Sequence, residues 1–98
     1  MRFAFKTKKL AALYNDEQGA NAYPEGIVDA FFEVMHIIEG AVDERDLYAF
    51  KSLRFEKLKG QRGERSLRLN DQYRLIVSIE QDAEGRFLLL ISLEKHYE

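Results

Sequence analysis

Between residues 24 and 39 apolar side chains recur at Ile27, Val28, Phe31, Val34, Met35 and Ile38. These steps of three and four put them on one stripe of an amphipathic helix. Pro24 suits the first turn of that helix and Gly40 its C-terminal cap. Ahead of it, the alternating Arg2-Phe3-Ala4-Phe5-Lys6 predicts a short strand and residues 8–14 a brief helix, while the Asn-, Asp- and Gly-rich residues 15–22 predict a loop. Residues 43–48 read as a second helical or irregular stretch, and Gly60 and Gly63 bracket a turn. Beyond it, residues 66–69, 73–80 and 86–93 are rich in Val, Ile, Leu and aromatics, and residues 82–85 connect the last two as a hairpin. They predict an antiparallel meander. That hairpin sets Arg74 opposite residues 92–94. Phe87 to Ile91 is apolar on both faces, which predicts a central strand covered by the long helix on one side. Helices first and strands later make the fold class α+β, a small antiparallel sheet packed against two N-terminal helices, in one domain over residues 1–98.

The 98-residue chain has room for one core, and 46% hydrophobic with 33% charged residues is the composition of a folded protein. With no cysteine it has neither a disulfide framework nor a thiolate ligand or nucleophile, and stability must come from packing. The first ten residues lack the apolar run of a signal peptide and no stretch reaches the length of a membrane span, so a cytoplasmic location is expected.

The net charge of −2 hides a segregation that bears on the choice of partner. Residues 15–50 carry one basic and nine acidic side chains, whereas residues 51–74 carry eight basic and three acidic ones. Lys51, Arg54, Lys57, Lys59, Arg62, Arg65 and Arg68 are therefore candidates for holding phosphates, provided they gather on one face; otherwise the run is a solvated surface. The segment from Lys59 to Gly63 is no phosphate-binding P-loop, because it lacks the spacing and the terminal Lys-Ser or Lys-Thr. His36 lies in the apolar helix and is expected to be a buried or half-buried structural residue, and Phe31 and Phe32 to be packing. His96 differs, since nothing in the polar tail around it calls for an imidazole. With Arg74 opposite residues 92–94, the hairpin pairing predicts that Arg74 and His96 are brought to one end of the sheet. Judged on residue type alone, Glu56 reads as a surface ion pair with Arg54, Lys57 or Lys59.

Three stretches taken in order are more specific: Glu56-Lys57-Leu58-Lys59-Gly60, then Ser66 to Leu75 with its Asn70-Asp71-Gln72-Tyr73-Arg74 segment, then a final strand leading to His96-Tyr97. Over residues 53–98 the chain resembles the RelE-type toxins of type II toxin-antitoxin systems, with the HigB and YoeB branches nearest. The resemblance implies a RelE-like microbial ribonuclease fold and metal-independent, cofactor-free cleavage of messenger RNA on the ribosome. Matched position by position, it implies Glu56 as general base, Arg74 as the phosphate-stabilising arginine and His96 as general acid, with Tyr97 beside it. Its implied partners are the ribosome, mRNA and a cognate antitoxin, often a protein with a helix-turn-helix DNA-binding domain. A ParE-like poison of DNA gyrase and a non-catalytic RNA- or protein-binding module are the alternatives.

Overall fold

The computed structural model describes residues 1–60 and 63–95. In chain order the elements are β1 (Phe3–Phe5), α1 (Lys8–Asp16), a 3-10 turn (Ala20–Ala22), α2 (Ile27–Gly40), α3 (Glu44–Ala49), a second 3-10 turn (Lys51–Leu53), β2 (Glu56–Lys57), β3 (Glu64–Arg68), β4 (Tyr73–Asp82) and β5 (Gly85–Lys95). The strands form one sheet in the order β1-β5-β4-β3-β2. The antiparallel meander runs from β2 to β5, but β1 lies parallel to β5, so the sheet is mixed rather than wholly antiparallel. Parallel pairing requires a long connection, and between β1 and β5 the chain runs through all three helices and β2 to β4. β5 is accordingly an interior strand. The two predicted helices precede the meander together with α3, which occupies the stretch read as helical or irregular.

Each helix begins where a local partner satisfies its free N–H groups. The Thr7 hydroxyl accepts from the Leu10 N–H at the start of α1, and the Asp43 carboxylate accepts from the Arg45 N–H at the start of α3. At the start of α2, Gly26 adopts φ 89°, a left-handed conformation that costs glycine little. Pro24 therefore stands in the turn before the helix, its carbonyl accepting from the Ile27 N–H, instead of in the first helical turn. Gly40 likewise is the last helical residue and not a left-handed cap; the chain leaves through Ala41 in an extended conformation.

The predicted stripe on α2 is the centre of the core: Ile27, Phe31, Val34, Met35 and Ile38 are buried with Val28 half-buried beside them. They pack with Leu10 and Leu13 of α1 against Leu67, Leu75, Val77, Leu88 and Leu90 on one face of the sheet. Phe32 stacks on Tyr14 with ring centroids 5.9 Å apart, and Phe31 meets Phe32 edge-on at 5.4 Å, so both are packing residues. His36 is exposed. It follows Met35 by one residue, about 100° around the helix, which turns it off the buried stripe.

The β4–β5 ladder runs from Asp82↔Gly85 to Val77↔Leu90, then shifts so that Ile76 faces Ser92 and Arg74 faces Glu94. The β-bulge at this shift absorbs one residue of β5. Because of it Leu93 faces Leu75, which keeps the apolar row of β5 on the helix side along its length. Arg2 closes the far end of the hairpin: its guanidinium donates to the Asp82 carboxylate at 2.7 and 3.1 Å and to the Gly85 carbonyl at 2.9 Å, and lies 5.3 Å from the Phe87 ring centroid. These bonds hold the Asp82 carboxyl below the usual carboxylate range.

Candidate functional site

The helices cover only one face of the sheet, and the other face carries the polar side chains of β2, β3 and β4. Across these strands the register pairs Glu56 with Ser66, Ser66 with Ile76, and Arg68 with Arg74. Leu67 and Leu75 enter the core, so alternation turns Ser66, Arg68 and Arg74 the other way. Phe55, 6% exposed, is pinned in the core while Arg54 and Glu56 on either side of it point outward. The result is a cleft of about 390 Å³ lined by Arg54, Glu56, Ser66, Arg68, Asn70, Asp71, Tyr73 and Arg74.

Local backbone chemistry fixes both rims. On one side the Asn70 carboxamide oxygen accepts from the N–H groups of Gln72 and Tyr73 at 2.8 and 2.7 Å, while the Tyr73 carbonyl accepts from Leu69 and Asn70. This Asx turn starts β4 and so sets where Arg74 stands. On the other side Arg54 ends the second 3-10 turn at φ 44°, ψ 54°. A non-glycine residue in that left-handed region costs on the order of 1–3 kcal/mol, a strain that the buried Leu53 and Phe55 on either side sustain.

Three arginines in the cleft face two carboxylates, and only one opposed pair is closed. Arg68 is ion-paired with Asp71. Among the described residues Glu56 forms no ion pair and no side-chain hydrogen bond, so the expected pairing with Arg54, Lys57 or Lys59 is not made. The Nε of Arg74 is buried with no acceptor. A buried donor left unpaired costs about 1–3 kcal/mol, more when charged, and an anion entering the cleft supplies the missing acceptor. Among the described residues no group of three or more His, Cys, Asp or Glu side chains is placed to hold a metal ion.

The described part of the basic stretch divides between the two faces of the sheet, so the condition that these side chains gather on one face is not met by all of them. Arg54 and Arg68 line the cleft with Arg74, whereas Lys57 and Arg65 are cross-strand partners, and the Arg65 Nε donates to the Tyr48 hydroxyl of α3 at 3.2 Å, on the helix side. Alternation along β2 and β3 causes the split: Glu56 and Lys57 are consecutive, as are Arg65 and Ser66. Lys51 and Lys59 are exposed in turns outside the cleft lining. Arg62, His96 and Tyr97 lie outside the described residues. Sequence reasoning overlooked Ser66, Asn70, Asp71 and Tyr73 as lining residues. Two signals pointed to them: the two-residue step from Arg68 to Ser66, and the turn chemistry of Asn70-Asp71.

The profile of the HigB-like toxins, described as the RelE-like toxin of the type II toxin-antitoxin system HigB, matches residues 3–88. The chain belongs to this family. Membership in a type II toxin-antitoxin family implies an antitoxin partner. The match includes the N-terminal helices, where the resemblance in sequence is limited to the order of elements, and it ends ahead of residue 96. Among solved structures, a YoeB/ParE toxin from Agrobacterium tumefaciens superposes with a TM-score of 0.56 at 16% identity, covering 99% of this chain and 100% of the other. At that identity the likeness concerns the fold. No curated protein matches the toxin's sequence. Among the described residues no helix is long and apolar enough to cross a membrane.

Proposed function

We propose that this toxin is a ribosome-dependent mRNA endoribonuclease whose reaction takes place in the cleft between β2 and β4. The observation that carries the reading is the meeting in one cleft of Glu56, a carboxylate without an ion-pair partner among the described residues, and Arg74, whose buried Nε lacks an acceptor. A carboxylate of this kind is available to take the proton from a ribose 2′-hydroxyl. The 2′-oxygen then attacks the adjacent phosphorus, and Arg74, with Arg54 and Arg68 nearby, stabilises the charge that builds on the phosphoryl oxygens. His96, followed by Tyr97, protonates the departing 5′-oxygen, leaving a 2′,3′-cyclic phosphate and a 5′-hydroxyl. Each acid-base member contributes on the order of 10² to 10⁴ in rate, and the open cleft needs its RNA held in line from outside, which is the ribosome's part. A carboxylate free to act as base beside an arginine lacking an acceptor supplies two roles of a cleavage reaction together, which favours this reading over a gyrase poison or a passive RNA-binding module.

The test is translation-coupled cleavage of a reporter mRNA read by primer extension, with gyrase-linked DNA breaks scored in parallel. Expected are cuts that depend on active ribosomes, lost by about 10² to 10⁴ in Glu56→Gln and His96→Ala, with DNA left intact. Growth arrest that persists in Glu56→Gln with transcripts intact overturns the reading.

A further inference from the structure

We propose that the helix-side surface of the same sheet edge, built on Tyr48, Lys57 and Arg65 and extended by the exposed Phe50 and Lys51 that follow Tyr48 in the chain, is a second RNA-contacting surface for a single-stranded segment that leaves the cleft over β2. The inference rests on the cleft reading above. β2 is the outermost strand and comprises only Glu56–Lys57. Consecutive strand residues point to opposite faces, so a polynucleotide passing Glu56 has one short strand to cross before it reaches Lys57. Lys57 faces Arg65, and the guanidinium of Arg65 touches the Tyr48 hydroxyl.

Tyr48 is held against Phe55 with ring centroids 4.6 Å apart yet remains 51% exposed, and Phe50, which leads into Lys51, is 47% exposed. Among the described residues Lys51, Lys57 and Arg65 form no ion pair, as is also true of Arg54 and Arg74 in the cleft. Uncompensated cations beside exposed aromatic faces match a single strand, whose phosphates meet the cations and whose bases stack on the rings whatever their sequence. An acidic protein segment answers the cations equally well. Continuity with the cleft across so narrow an edge favours RNA.

The experiment measures fluorescence anisotropy of the full chain with 2′-O-methyl RNAs, which cannot undergo 2′-oxygen attack, one of roughly four nucleotides that fills the cleft and one of about ten that reaches past β2. The longer RNA is expected to bind about tenfold more tightly, the effect of one stacked base with its phosphate contacts. Phe50→Ala is expected to remove most of that gain while leaving the affinity for the short RNA unchanged. Lys51→Ser with Lys57→Ser is expected to do the same, and because both lysines are exposed this pair guards against a folding defect in the first variant. Equal affinities of the two RNAs for the unmutated chain overturn the proposal, as does a length gain that survives both variants. Loss of antitoxin binding with the length gain intact assigns the surface to the antitoxin and also overturns it. If neither RNA binds the free chain, this inference is overturned, whereas the cleft reading stands or falls separately on the translation-coupled cleavage assay.

Discussion

The two faces of the β3–β4 pair are made from alternate residues of the same strands, yet they obey different rules. On the helix side Leu67, Leu75 and Val77 have no exposed surface at all and meet the apolar stripe of α2. On the cleft side Ser66, Arg68 and Arg74 face Glu56 with no helix above them. A side chain on the first face is tied to its neighbours by packing, so its loss is felt throughout the core. On the second face side chains are constrained by backbone turns such as that of Asn70, and one carries an unsatisfied donor that stability alone does not favour. The separation of stability from chemistry is thus one residue wide.

Substitutions at neighbouring positions should separate the two faces most clearly. Arg74→Ala is expected to cut RNA cleavage by about 10² to 10³, with its unfolding free energy kept or slightly raised because an unpaired buried donor is removed. Leu75→Ala, one residue on, is expected to cost about 2–5 kcal/mol of stability, with any loss of cleavage tracking the unfolded fraction. Urea unfolding and primer extension on both variants decide it: a destabilised Arg74→Ala, or an inactive but stable Leu75→Ala, erases the distinction between the faces.

A smaller effect tests how the cleft holds its ligand. The affinity for single-stranded RNA should fall with salt at a log-log slope of about −0.7 for each phosphate neutralised. Replacing Arg54 and Arg68 together by Ala should flatten that slope by about 1.4. If the slope is unchanged, these two side chains do not meet phosphates, and the polar face is left with Arg74 alone.

The smallest effect lies at the hairpin end, away from both faces. The Asp82 carboxyl is depressed first by its hydrogen bonds from Arg2 and then by further bonds from the Glu84 and Gly85 backbone and the charge of Arg2. A carboxyl whose folded value lies below its unfolded one adds stability above the unfolded value, near 3.9, and loses it as the pH falls through the folded value. Arg2→Ala should therefore lower the melting temperature slightly at neutral pH, and the difference from the unmutated chain should shrink below about pH 4. A difference that grows on acidification contradicts the sign of this linkage.

How much of this was legible in the sequence depended on how far apart the interacting residues lie. The stripe of α2 and the hairpin at residues 82–85 could be read because helical periodicity and turn chemistry involve residues a few positions apart. The pairing of Arg74 with residues 92–94 followed from that hairpin, and Glu94 is the partner found. The exposure of His36 was misjudged because the apolar company of neighbouring positions says little about a residue one step off the stripe. The parallel placement of β1 beside β5 had no local signal, since it joins residues more than eighty positions apart.

Local pattern was enough to give the α+β order of elements, the apolar surfaces that had to be buried, and a short list of charged candidates for holding a phosphate. Which of those candidates stand together depends on the register and packing of the folded sheet. Basic charge along a chain is one-dimensional, whereas a two-residue strand at the sheet edge sends Glu56 to one face and Lys57 to the other. The register that aligns Glu56 with Ser66 and Arg68 with Arg74 is set by the burial of Leu67 and Leu75 beneath α2, a packing choice made by remote parts of the chain.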